Sequence, residues 1–182
     1  VAGGKGQFLV VWADSRVHTL ADIYGARVSG AGKVLDPNGI KISASSNSKY
    51  NPQVAFDGTN YLVVWSDRRT NKNPMIYGAR VSTAGKVLDP NGVAISVHAQ
   101  DQNTPDVAAN GAGQYLVAWS RKDKNRSWKY HVYAARVSTA GKLLDATPVT
   151  ISSHAKSSSY PRVASDGKDY LVAWRYKDTS GD

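Results

Sequence analysis

Tyr61-Leu62-Val63-Val64-Trp65 decides the fold, because the same stretch returns along the chain. FLVVW ends at Trp12, YLVAW at Trp119 and YLVAW again at Trp174, so the tryptophans fall 53, 54 and 55 residues apart. Alternation along a strand puts Tyr61, Val63 and Trp65 on one face and Leu62 and Val64 on the other. Both faces are apolar, and such a strand belongs to a sheet covered on both sides.

Two further markers follow in fixed order. IYGARVS occupies 23–29 and 76–82, with VYAARVS at 132–138; KVLDPNG occupies 33–39 and 86–92, with KLLDATP at 142–148. Together they define a repeat of about fifty residues. Each unit reads as four antiparallel strands. The first, PQVAFD at 52–57, closes on the hairpin turn Asp57-Gly58, and Asn110-Gly111 and Asp166-Gly167 play the same part. The YLVVW and IYGARVS strands come next, and a fourth runs over 87–95 with an irregularity at 89–92. Pro148 stands where Gly92 stands one unit earlier, and proline fixes φ near −65°. The irregularity is therefore expected to be a kinked outer strand, where proline is tolerated, and not a turn that demands left-handed backbone.

The expected fold is all-β, with β-propeller-type blades of four antiparallel strands and about three and a half repeats in a single repeat domain over 1–182. The units are a partial blade at 1–46, blades at 47–99 and 100–155, and a partial blade at 156–182. A β-sandwich would not need one unit repeated in sequence. Propellers typically close with about four to eight blades, so the count points to a piece of a longer chain, to completion by other copies, or to an open array. The start at Val1 without a basic and then apolar leader also suggests a processed or partial chain, with no signal peptide visible.

Composition excludes more than it identifies. Cysteine is absent, which removes disulfides, thiolate metal sites and a cysteine nucleophile. No apolar run approaches the roughly 20 residues of a membrane-spanning helix. Every acidic residue is aspartate, so a glycosidase pair within this chain would have to be two aspartates. There is no G-x-S-x-G elbow, no phosphate-binding glycine loop and no cofactor motif. His18, His98, His131 and His154 show no metal-ligand spacing, and the DPNG segments lack the ligands of a calcium loop, so no metal is expected. The formal net charge of +9 suits an acidic polysaccharide or another polyanion. It would suit nucleic acid too, but no nucleic-acid-binding signature accompanies it.

YLVVW, IYGARVS and AGKVLD together resemble a propeller-type repeat common in large secreted or cell-surface bacterial proteins. The resemblance spans nearly the whole chain. It implies an extracellular or cell-surface location and a binding or adhesive role, and it carries no catalytic residues. The asp-box sialidases offer a contrast, since their Ser-x-Asp-x-Gly hairpin leading to Trp is not matched by Ser165-Asp166-Gly167.

In a propeller the loops joining second to third strands, and those joining blades, gather on one face, the usual ligand face of such folds. Here they carry Arg68, Arg69, Arg121, Lys124, Arg126, Trp128 and Tyr130, with Tyr50, His98, His154 and Tyr160 between blades. Trp128 lies outside the repeat among basic residues, where an aromatic ring could stack on a sugar; the alternative is a ring folded over a neighbouring blade. Trp12, Trp65, Trp119 and Trp174 read as structural. So do Arg27, Arg80 and Arg136, whose partners would be either Asp36, Asp89 and Asp145, or Asp14 and Asp67.

The leading expectation is a non-catalytic extracellular module binding an acidic glycan or other surface polymer through these basic and aromatic loops. Two alternatives stand beside it: a self-assembling repeat protein forming a homo-oligomer or filament, and a noncatalytic fragment of a larger propeller glycoside hydrolase.

Overall fold

The computed structural model describes residues 1–16, 19–43, 46–70, 72–153 and 156–177. Blade 1 contains β1 (Ala2–Gly4), β2 (Gln7–Asp14), β3 (Asp22–Ser29) and β4 (Ile40–Lys41). Blade 2 contains β5 (Lys49–Phe56), β6 (Asn60–Asp67), β7 (Met75–Ser82) and β8 (Val93–Ser96). Blade 3 contains β9 (Gln102–Ala109), β10 (Gln114–Lys122), β11 (Tyr130–Ser138) and β12 (Val149–Thr150); β13 (Ser157–Ser165) and β14 (Tyr170–Lys177) pair as a fourth sheet. Strands within each sheet are antiparallel and neighbour one another in sequence order. The opening strands β1, β5, β9 and β13 lie against one another in succession, which makes them the inner strands of a propeller-type array.

The two-sided second strand explains the stacking. Tyr61, Val63 and Trp65 pack with Leu9, Ile23 and Ile42 of blade 1. Leu62 and Val64, on the opposite face of β6, pack with Tyr115, Val117 and Trp119 of blade 3. Polar contacts repeat at the same joints. The Tyr115 hydroxyl donates to the Asn60 carbonyl at 3.0 Å, and the Tyr170 hydroxyl to the Gln114 carbonyl at 2.8 Å.

The IYGARVS arginines fasten each blade to itself and to the next. Arg27 grips Asp36 through Nε and Nη2, both at 2.8 Å, and its Nη1 reaches the Thr83 carbonyl of blade 2 at 3.0 Å. Arg80 does the same with Asp89 and with the Thr139 carbonyl of blade 3 at 3.2 Å. Arg136 pairs with Asp145 at 2.6 Å. Of the two aspartate sets, these are the arginines' partners; Asp14 and Asp67 serve the tryptophans instead.

These carboxylates set an acid limit on stability. The Arg27 side chain holds Asp36, and the Arg136 side chain holds Asp145, below the usual carboxylate range. Burial raises Asp89, but its bonds from Arg80 outweigh that and leave it lowered as well. A carboxyl whose folded value lies below its unfolded value stabilises the fold above about pH 4, the unfolded range, and that stability is lost as pH falls through the folded values. Urea midpoints measured between pH 6 and 3 are therefore expected to be level to about pH 5 and then to fall. A midpoint that rises on acidification would remove these pairs from the account.

One expectation fails. Gly39 and Gly92 have φ of +75° and +72°, each closing a turn in which its N–H meets the carbonyl of Asp36 or Asp89. The first two blades thus do use a left-handed turn at the position where blade 3 has Pro148. The short outer strand follows either way, because Val34, Val87 and Leu143 bridge to β3, β7 and β11 before the irregularity begins. Pro148 shows that the fold tolerates two solutions there, and not that glycine is idle in the other blades.

Candidate functional site

The second strands end in a repeated device. In blade 2 the Trp65 Nε1–H donates to Asp67 Oδ2 at 2.8 Å, the same oxygen accepts from Arg69 Nη2 at 2.8 Å, and the Arg69 guanidinium lies 3.5 Å over the Tyr77 ring. Blade 1 builds it from Trp12, Asp14, Arg16 and Tyr24. Blade 3 departs from it. Arg121 stands at the aspartate's position, its guanidinium lies 3.5 Å over Tyr133, and the buried Trp119 Nε1 has no hydrogen-bond partner. Arginine stacked on tyrosine is common to both solutions, but only the carboxylate satisfies the indole.

On the same face, where the inner strands begin, three blades converge on a cleft of about 290 Å³. It is lined by Asn51 of blade 2, by Asn103, Thr104, Ser120 and Tyr130 of blade 3, and by Ser159 and Tyr160 of β13. The inner strands β5, β9 and β13 each carry a β-bulge here, between Tyr50 and Gln53, opposite Ala118–Ser120, and between Ser159 and Arg162. Each bulge contains an x-Pro step: Asn51-Pro52, Thr104-Pro105 and Tyr160-Pro161. Buried Ser120 ties the wall together. Its Oγ accepts the Tyr160 N–H at 3.0 Å and lies 2.9 Å from Thr104 Oγ1. The lining is amide, hydroxyl and phenol, and it contains no charged side chain.

The expected ligand residues scatter around this cleft. Tyr130 and Tyr160 line it, and Tyr160 is 54% exposed. Tyr50 is adjacent in sequence, and its hydroxyl accepts from Arg68 Nε at 3.0 Å. Arg69 is held in the tryptophan device and also donates to the Asn91 carbonyl at 3.0 Å. His98 sits in a separate groove with Lys72 and Met75, its pKa lowered by burial and then by the charge of Arg121. Lys124 borders a third groove, Arg126 is exposed, and Trp128 is 51% exposed. His154 and His18 lie outside the described residues. Sequence reasoning missed Asn51, Thr104 and Ser120, and placed Asn103 and Ser159 in the interblade loops without singling them out; the aligned x-Pro step was the signal that could have found the first two.

The groove beside Lys124 holds an aspartate pair, Asp101 and Asp123. Asp123 is not set up as a general acid. Asp123 accepts the Asn125 and Arg126 N–H groups and faces His131 Nε2 at 3.1 Å, which holds its pKa down. A general acid needs the opposite shift. Asp106, two residues beyond Thr104, is raised by burial, yet its Oδ2 accepts the Val163 N–H at 2.8 Å and it joins two blades without lining the cleft.

No protein-family model matches the sequence, and no curated protein matches it. Solved structures do match in fold. An endo-arabinase from Bacteroides thetaiotaomicron aligns over 97% of this chain and 74% of its own, with a TM-score of 0.61 and 13% identity. An α-L-arabinanase from Penicillium chrysogenum, solved with arabinobiose, aligns over 91% of this chain and 53% of its own (TM-score 0.62, 13% identity). An α-L-arabinofuranosidase from Lactobacillus brevis aligns over 97% and 64% (TM-score 0.55, 13% identity). At such identities the likeness establishes the fold, a propeller-type array. The chain spans between about half and three quarters of the length of these enzymes.

These matches overturn the acidic-glycan module. Proteins that share the fold over nearly the whole chain are glycoside hydrolases. The physical reason lies in the loops. Arg69 is paired with Asp67, Arg68 is bonded to Tyr50 and Arg121 is stacked on Tyr133, and none of these arginines lines the cleft.

Proposed function

We propose that this chain is part of a larger extracellular propeller glycoside hydrolase acting on arabinose-containing polysaccharide, and that it supplies a wall of the substrate-holding cleft. The observation that carries this is the fold likeness to an endo-arabinase over 97% of the chain. The cleft chemistry agrees with it. Neutral sugars present hydroxyls and C–H faces, which amides, hydroxyls and a tyrosine ring can hold without charge. No carboxylate lines the cleft among the described residues, so the chain's part is to bind and orient substrate. The acid and base would come from elsewhere in the larger enzyme.

Titration of the full chain with arabinobiose, followed by amide NMR, tests this. Shifts confined to residues around Asn51, Thr104 and Tyr160, without hydrolysis of the sugar, are expected. Absence of any shift with arabinobiose and with longer arabino-oligosaccharides at tens of millimolar would overturn it.

A further inference from the structure

The three bulges hold their residues in an unusual conformation. Asn51, Thr104 and Tyr160 have φ of +55°, +50° and +54°. Left-handed backbone is uncommon outside glycine, and for a β-branched or bulky residue it is a clear outlier. The following proline restricts these residues further, toward extended backbone. Glycine would relieve the strain, and the chain uses it freely: among the described residues nine glycines, Gly39, Gly58 and Gly92 included, sit at positive φ. At the three bulges it is not used. Strain retained at blade-equivalent positions, all bordering one cleft, marks side chains that are kept for what they contact.

We propose that the residue before proline in β5, β9 and β13 is the position through which each of these blades selects the saccharide held in the cleft. The backbone solution repeats while the side chain changes from Asn to Thr to Tyr, so each blade presents a different group at the same geometric place. Tyr160, more than half exposed, offers a ring for stacking on a sugar face. Asn51 is exposed and offers a donor and an acceptor together, suited to neighbouring hydroxyls. Thr104, braced by Ser120, forms the floor. The ligand class is a neutral sugar with vicinal hydroxyls, and the assignment rests on the reading of this cleft as a saccharide site.

The test uses the full chain and four variants, Tyr160→Gly, Tyr160→Phe, Asn51→Gly and Thr104→Gly, titrated with arabinobiose and melted in parallel. Glycine is expected to hold or raise the melting temperature by removing the strain. Affinity is expected to fall about tenfold or more for Tyr160→Gly and several-fold for Asn51→Gly, while Tyr160→Phe retains it. Glycine variants that melt earlier but bind as the parent does would make the bulges structural and overturn the proposal alone. A parent chain that binds no saccharide would bring down this proposal and the cleft reading together.

Discussion

Replacing Trp65 by alanine is expected to cost about 4 kcal/mol, within the range for deleting a fully buried aromatic side chain. Trp65 has no exposed surface and packs in the core between blades 1 and 2. Its removal also leaves Asp67, which is buried, without its indole donor. Trp128→Ala is expected to change stability by less than about 0.5 kcal/mol, since that ring is half exposed and lies outside the repeat. Urea unfolding of both variants decides the matter. Comparable losses would mean that Trp128 is a packing residue and that the repeat position holds less of the core than its burial indicates.

The second large effect is expected at Asp89. Asp89→Ala strips Arg80 of two charge-assisted bonds and the Arg80 backbone N–H of its acceptor, in a joint where the two side chains are 19% and 16% exposed. Leaving a largely buried guanidinium unpaired is expected to cost about 3 kcal/mol. The same change at Asp145 should cost under about 1 kcal/mol, because Arg136 is 49% exposed and water can replace the lost partner. The contrast tests whether the arginine acts as a joint between blades or as a surface ion pair. Equal costs would favour a role confined to each blade, because Arg80 alone of the two bonds a following blade's carbonyl.

The blade architecture was legible because it is written in short-range pattern. Alternation in Tyr61–Trp65 announces two buried faces, and both are buried against different blades. The turn at Gly92 was misread because one repeat's proline was taken to speak for all, whereas a backbone turn can be solved differently in each copy. Function was misread for a related reason. Charge counted along loops says nothing of where a guanidinium is spent, and Arg69 and Arg121 are spent on Asp67, Tyr77 and Tyr133.

The cleft is harder to read, because the recurring x-Pro step marks the positions but not their conformation. Asn51, Thr104 and Tyr160 stand more than fifty residues apart and look like ordinary pre-proline residues, which prefer extended backbone. Local rules predict nothing unusual for any of them. Sequence by itself determined the repeat, the strand order within each blade and the residues that join neighbouring blades, because these follow from side-chain alternation and from markers recurring at a fixed period. Tertiary structure alone decided which side chains meet at the inner strands and in what conformation. Stacking three blades brings distant residues to one cleft, and the surrounding packing holds a backbone geometry that none of those residues would choose on its own.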